Sequence, residues 1–271
     1  MILVNKKVGE TPLELLDRLR EENSELKDKT LSYAGRLDPM AEGEMLVLVG
    51  EEENKSYKKY LGLDKEYIAT FLIGMSTDAG DALGLILSSL KATKGKPGID
   101  EDSIKNKVKE FLKIKKQTYP WFSSKTVDGI KLFDHYKSGN TDIKRPEREV
   151  KIYESELINF KEDNKLEDIK KYIFESINKV NEKQEGDFRK KEILDGWEEY
   201  FSNDCRPRVC GDLAGASQDP EINSGSLDVC DDLITFEVRL KVGSGTYIRA
   251  LTEEFDFPVT LLKLKRTEIF I

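Results

Sequence analysis

The chain has 271 residues, 38% hydrophobic and 35% charged, enough for a substantial buried core in one large domain or two modest ones and too apolar for wholesale disorder. No apolar run approaches the roughly 20 residues of a membrane helix, the N-terminus lacks a basic-then-apolar signal layout, and three cysteines are too few for a disulfide scaffold, so a cytoplasmic protein without membrane contact is expected. The net charge of −8 lies entirely in residues 161–232, which hold 11 basic and 19 acidic side chains; because screening limits charge reach to about 8 Å, the acidic total leaves room for a local basic groove elsewhere.

Ile2 to Val4 reads as a short strand. Thr11, Pro12 and Glu14 form a capping box that opens a helix with Leu15, Leu16 and Leu19 on its apolar face. Thr30 to Gly43 is turn-rich; Met45–Val49 and Tyr67–Ile73 read as strands, and Ser76 to Gly84 as a loop. Ile104, Val108, Phe111 and Leu112 recur at helical spacing on a basic segment. Residues 117–149 show little periodicity and interleave aromatics with cations, a mixture that suits base stacking and phosphate grip. Leu166 to Val180 has a helical apolar pattern, about 202–232 reads as a flexible loop, Phe236–Val242 alternates as a half-buried strand, and Tyr247 to Phe255 resumes as a helix. Irregular interleaving of strands and helices, with antiparallel-type alternation, favours an α+β fold over a doubly wound parallel sheet.

Asp38 stands in Gly35-Arg36-Leu37-Asp38-Pro39-Met40-Ala41-Glu42-Gly43. A carboxylate between glycines and followed by proline is held in a rigid turn, where it serves either as a turn cap or as a nucleophile or general base. The segment resembles the signature of pseudouridine synthases, and four further blocks in order resemble the TruB-type family, which isomerises uridine 55 in the T arm of tRNA. They are Asn5 to Thr11; Lys65-Glu66-Tyr67 with Gly74 to Gly84; Gln117 to Gly139; and Gly245-Thr246-Tyr247-Ile248-Arg249. The resemblance covers roughly residues 2–160 and 233–271.

The resemblance implies a cofactor-free, metal-free isomerase acting on RNA, as a monomer with no nucleotide cofactor. Asp38 is the implied nucleophile, attacking ribose C1′ or pyrimidine C6 of a flipped uridine. Tyr67 is the aromatic on the base, which assists removal of the C5 proton, and Arg249 the cation that pairs with Asp38. Leu264 closes over the base, and Tyr33, Lys6, Lys125 and Tyr247 are the other implied substrate contacts. Tyr33 stands where the family has a histidine, and Lys6-Lys7 where it has Lys-Pro. The chain ends soon after Leu264, so the C-terminal RNA-binding PUA domain of bacterial members is expected to be missing.

The implied layout is a catalytic domain of 1–160 plus 233–271, with a thumb at about 117–149, interrupted by an acidic insertion, 161–232, expected to face away from the RNA. Cys205, Cys210 and Cys230 lie in that insertion at a spacing that favours free thiols over a zinc site. The alternatives are the same chemistry on a ribosomal RNA uridine, or a non-catalytic RNA-binding or RNA-folding module.

Overall fold

A computed structural model describes residues 1–87, 99–180, 189–202 and 232–271. Strand β1 (Ile2–Lys6) leads to helix α1 (Pro12–Glu22). The Thr11 hydroxyl accepts from Glu14 N–H at 3.2 Å and the Glu14 carboxylate accepts from Thr11 N–H at 2.7 Å, completing the expected capping box. Then come β2 (Leu31–Ala34), β3 (Ala41–Val49), two short helices α2 (Glu51–Lys55) and α3 (Tyr57–Leu61), and β4 (Lys65–Ile73). Helix α4 (Glu101–Glu110) precedes β5 (Lys116–Thr118), the hairpin β6 (Thr126–Val127) and β7 (Ile130–Lys131), α5 (Leu132–Lys137) and β8 (Glu147–Glu149). The chain continues through β9 (Ile152–Lys165), α6 (Leu166–Lys179), α7 (Lys190–Ser202), β10 (Asp232–Val242), a 3-10 helix at Ile248–Glu254 and β11 (Val259–Ile269).

Among the described residues, seven strands form one sheet in the order β1-β3-β11-β4-β10-β9, with β2 also paired to β3. Only the β3–β11 pairing is parallel, so the sheet is mixed and mostly antiparallel, in an α+β fold as expected. Alternation along β4 divides the interior. Tyr67, Ala69, Phe71 and Ile73 face a core shared with α1 and α4, whereas Leu72 faces a second core built with α6 and α7. Phe71 stacks on Phe236 with centroids 5.0 Å apart in the first; Trp197, fully buried, stacks on Phe201 at 5.6 Å in the second.

The sequence-based segmentation differs in three places. The turn-rich segment 30–43 contains β2 and the start of β3, and segment 117–149 carries short strands and α5. The domain boundary at 160 falls inside β9, whose pairing with β10 runs to Lys165, and α6 and α7 pack onto the same sheet. The loop at 202–232 and the three cysteines lie outside the described residues, apart from Ser202 and Asp232. Among the described residues, no helix is long and apolar enough to cross a membrane.

Candidate active site

Asp38 sits in the connection between β2 and β3. Gly35 opens it at φ +87°, a conformation that favours glycine. Ala41 N–H closes a turn on the Asp38 carbonyl at 2.9 Å. From β1, the fully buried Lys6 ammonium donates to the carbonyls of Ala41 (2.6 Å), Lys7 (3.0 Å) and Pro39 (3.5 Å). From β11, Arg266, 2% exposed, donates to the carbonyls of Arg36 (2.8 Å), Glu44 (3.1 Å) and Gly35 (3.3 Å). A buried cation is costly without acceptors, so each cation needs the loop carbonyls as much as the loop needs the cation. β3 and β11 lie so close that a Cβ on Gly43 would be 2.1 Å from the Arg266 carbonyl oxygen.

The expectation that Lys6 touches substrate is therefore corrected: its ammonium is enclosed and spent on the Asp38 loop. Burial pulls its pKa down to about 8, against the raising influence of Glu10 and Asp38.

The Asp38 side chain is 47% exposed, and its Oδ2 lies 3.1 Å from Nε of Arg249, which is 6% exposed and follows β10. The distance makes this an ion pair, yet Nε has no aligned hydrogen-bond partner among the described residues, so charge rather than a directed N–H joins the two groups. The guanidinium is aimed by its other nitrogens: Nη1 donates to the Ala79 carbonyl at 3.2 Å and Nη2 to the Phe122 carbonyl. Burial would lower the Arg249 pKa, but Asp38 and Asp81 outweigh it and the net shift is upward. Asp81, 5% exposed, accepts from Leu83 N–H at 2.9 Å. Its pKa is raised to about 6, by burial first, with Arg249 opposing and Asp38 adding to the rise. The site thus has one buried arginine between an open carboxylate and a buried one.

Tyr67, 6% exposed, accepts at its hydroxyl oxygen from Nε of Arg266 at 3.1 Å, so the residue that holds the Asp38 loop also fixes this ring. Leu264 is half-buried on β11, opposite Ala41 and Ala69. Tyr33, on β2 opposite Val47, is half-buried against the first core. Tyr247 is half-buried, and Gln117 brackets its backbone, accepting from its N–H at 3.0 Å and donating to its carbonyl at 3.2 Å. Its phenol pKa is raised, chiefly by burial, with Arg249 opposing and Asp38 reinforcing. Tyr119 packs edge-on against Tyr247 at 5.7 Å, and the exposed Lys125 reaches to 5.4 Å from the Tyr119 ring centre. The structure therefore brings Asp38 and Arg249 into contact and links Tyr67 to their loop through Arg266. Lys125 and Tyr247 stand on the adjoining aromatic band.

Two participants were not singled out from sequence, Arg266 and Asp81. On β11, Leu264 pairs with Ala69 and Arg266 with Tyr67, both on the face of the first core, while Lys263 and Lys265 are exposed. An arginine on the apolar parity of a strand is the signal that would have found it. For Asp81 the signal was weaker, a second aspartate three residues after Asp78 between Gly80 and Gly84.

The TruB family pseudouridylate synthase (N terminal domain) description matches residues 24–173. A tRNA pseudouridine synthase B from Opitutus terrae is 35% identical over 161 residues, 59% of this chain and 63% of that protein. One from Fusobacterium nucleatum is 34% identical over 165 residues, 61% of this chain and 54% of that protein. Among solved structures, a chain from a Cbf5-Nop10-Gar1 complex aligns with a TM-score of 0.49 at 17% identity, over 98% of this chain and 48% of that one. The chain thus matches less than two thirds of the length of these curated relatives. With more than half of its residues under one family description, the chain belongs to the TruB family of pseudouridylate synthases.

Proposed function

We propose that this chain isomerises uridine to pseudouridine in tRNA, at position 55 of the T arm, with Asp38 as nucleophile. The observation that carries the proposal is the half-exposed Asp38 carboxylate 3.1 Å from an arginine that is itself buried and fixed by two carbonyls. An ionised acid open to a ligand on one side and neutralised on the other is what attack on an electron-poor carbon of a flipped nucleoside requires. In the net reaction the N1–C1′ bond breaks, the base turns, C5 bonds to C1′, C5 loses its proton and N1 gains one.

Tyr67 is the ring against the target base and assists loss of the C5 proton; Leu264 and Tyr33 border the base. Lys125 and Tyr247 belong to the band of rings and cations along the thumb, at about 117–149, that grips RNA by stacking and charge. The catalytic domain takes in residues 1–165 and 232–271, the bounds expected from sequence being moved to the ends of β9 and β10. On this proposal the protein works in the cytoplasm as a monomer, on RNA and without a cofactor. Relatives named tRNA pseudouridine synthase B support tRNA as substrate.

Incubation of the purified protein with an unmodified tRNA transcript and, in parallel, with unmodified ribosomal RNA, followed by site mapping, tests the proposal. Pseudouridine at position 55 is expected. Product at a ribosomal RNA uridine alone, or binding without product, would overturn the tRNA assignment or the chemistry respectively.

A further inference from the structure

The Asp38–Arg249 pair is aimed by two carbonyls, Ala79 O and Phe122 O, that belong to chain segments far apart in sequence. One side chain ties those two segments together. Arg189, immediately before α7, forms a bidentate pair with Asp78, Nη1 to Oδ2 at 2.7 Å and Nη2 to Oδ1 at 3.3 Å. Its guanidinium also lies over the Phe122 ring, 4.5 Å from the ring centre. The Arg189 and Asp78 side chains are 12% and 2% exposed, so this pair is shielded from water. Asp78 Oδ1 also accepts from Leu85 N–H at 2.8 Å, which fixes the loop around Ala79.

The helical pair behind Arg189 is anchored to the same neighbourhood. Trp197 Nε1 donates to the Ala82 carbonyl at 3.1 Å, next to Asp81, and Met40, two residues beyond Asp38, lies in the same core. Lys179, the last residue of α6, lies so close to Gly9 that a Cβ there would be 2.4 Å from the Lys179 Cβ. Gly9 N–H in turn donates to the Pro39 carbonyl at 2.8 Å. The acidic insertion, expected to face away from the RNA, thus reaches the catalytic centre at its N-terminal end and through α7.

We infer that Arg189 is a positioning residue: it clamps the segments carrying Ala79 O and Phe122 O, and so sets the direction in which Arg249 meets Asp38. The inference rests on the function proposed above. A planar guanidinium suits both partners, since its fork matches the carboxylate and its face matches the ring; an ammonium can supply charge but neither geometry. The chemistry of the clamp is orientation alone, so its loss should slow turnover rather than weaken RNA binding.

Steady-state kinetics of the full chain on tRNA transcript tests it. Arg189→Ala should lower kcat about tenfold or more, with KM within about twofold of wild type. Arg189→Lys, which keeps the charge, should fold normally and recover only part of that loss. Lys170→Ala removes an exposed bridge to Glu198 between the same two helices and should leave kcat unchanged. Wild-type kcat in folded Arg189→Ala, or in Arg189→Lys should the alanine variant not fold, would overturn the inference, as would a loss confined to KM. An equal loss in Lys170→Ala would show that the helices act only through general stability, and overturns it too. A wild-type protein that makes no pseudouridine fails the proposed function itself, an outcome distinct from a variant that matches an active wild type.

Discussion

Two sets of cations surround the proposed site and do opposite work. Lys6, Arg249 and Arg266 are buried, and their donors reach backbone carbonyls of the segments that carry Asp38, Ala79 and Phe122. Lys125, Lys131, Lys137 and Lys144, on the segment between β5 and β8, are exposed; two of them lie against rings, Lys125 over Tyr119 and Lys131 over Phe133. The first set shapes the protein; the second lies at the surface, where a polyanion can reach it. Residue type does not separate them, but burial does, because a cation removed from water must spend its donors on the chain around it.

The contrast predicts effects of different kinds. Arg249→Ala should cost about a thousandfold in turnover, because the Asp38 carboxylate loses its fixed counter-charge. Arg266→Met should cost about a hundredfold through displacement of the Asp38 loop and the Tyr67 ring, visible in kcat at saturating RNA. A loss seen only in KM would place Arg266 with the exposed set.

A pH profile sharpens the buried side. The Asp81 pKa of about 6 lies above the ordinary 3.8, so this group favours folding fully below 3.8 and loses that contribution as pH rises through 6. Above 6 it is ionised and shares Arg249 with Asp38. The rate profile should therefore bend near pH 6, and Asp81→Asn should remove that bend. Lys125→Ala should have the smallest effect, raising KM about two- to fivefold, leaving kcat unchanged and reducing the salt slope by about 1.

Much of this was legible in the sequence. The capping box at Thr11, the aromatic and β-branched run of β4, the alternation in β10, and the helical spacing in α4 and α6 each depend on local chemistry, and each element formed where its pattern lies. β9 was not legible because it is an edge strand whose side chains from Tyr153 to Lys165 are all partly or fully exposed, leaving no apolar alternation to read. The pairing of Asp38 with Arg249 followed only from the family resemblance, since it joins residues that no local pattern connects. The burial of Lys6, the roles of Arg266 and Asp81, and the Arg189 clamp are long-range contacts. They exist only because β1, β11 and α7 are folded against the loops they hold.

The central claim is that Asp38 performs the chemistry while the surrounding cations set its position. The most direct measurement compares wild type with Asp38→Asn for tritium release from 5-tritiated uridine in tRNA and for tRNA binding. The account predicts no release above background in the variant and a Kd within about threefold of wild type. Release at a substantial fraction of the wild-type rate would contradict it.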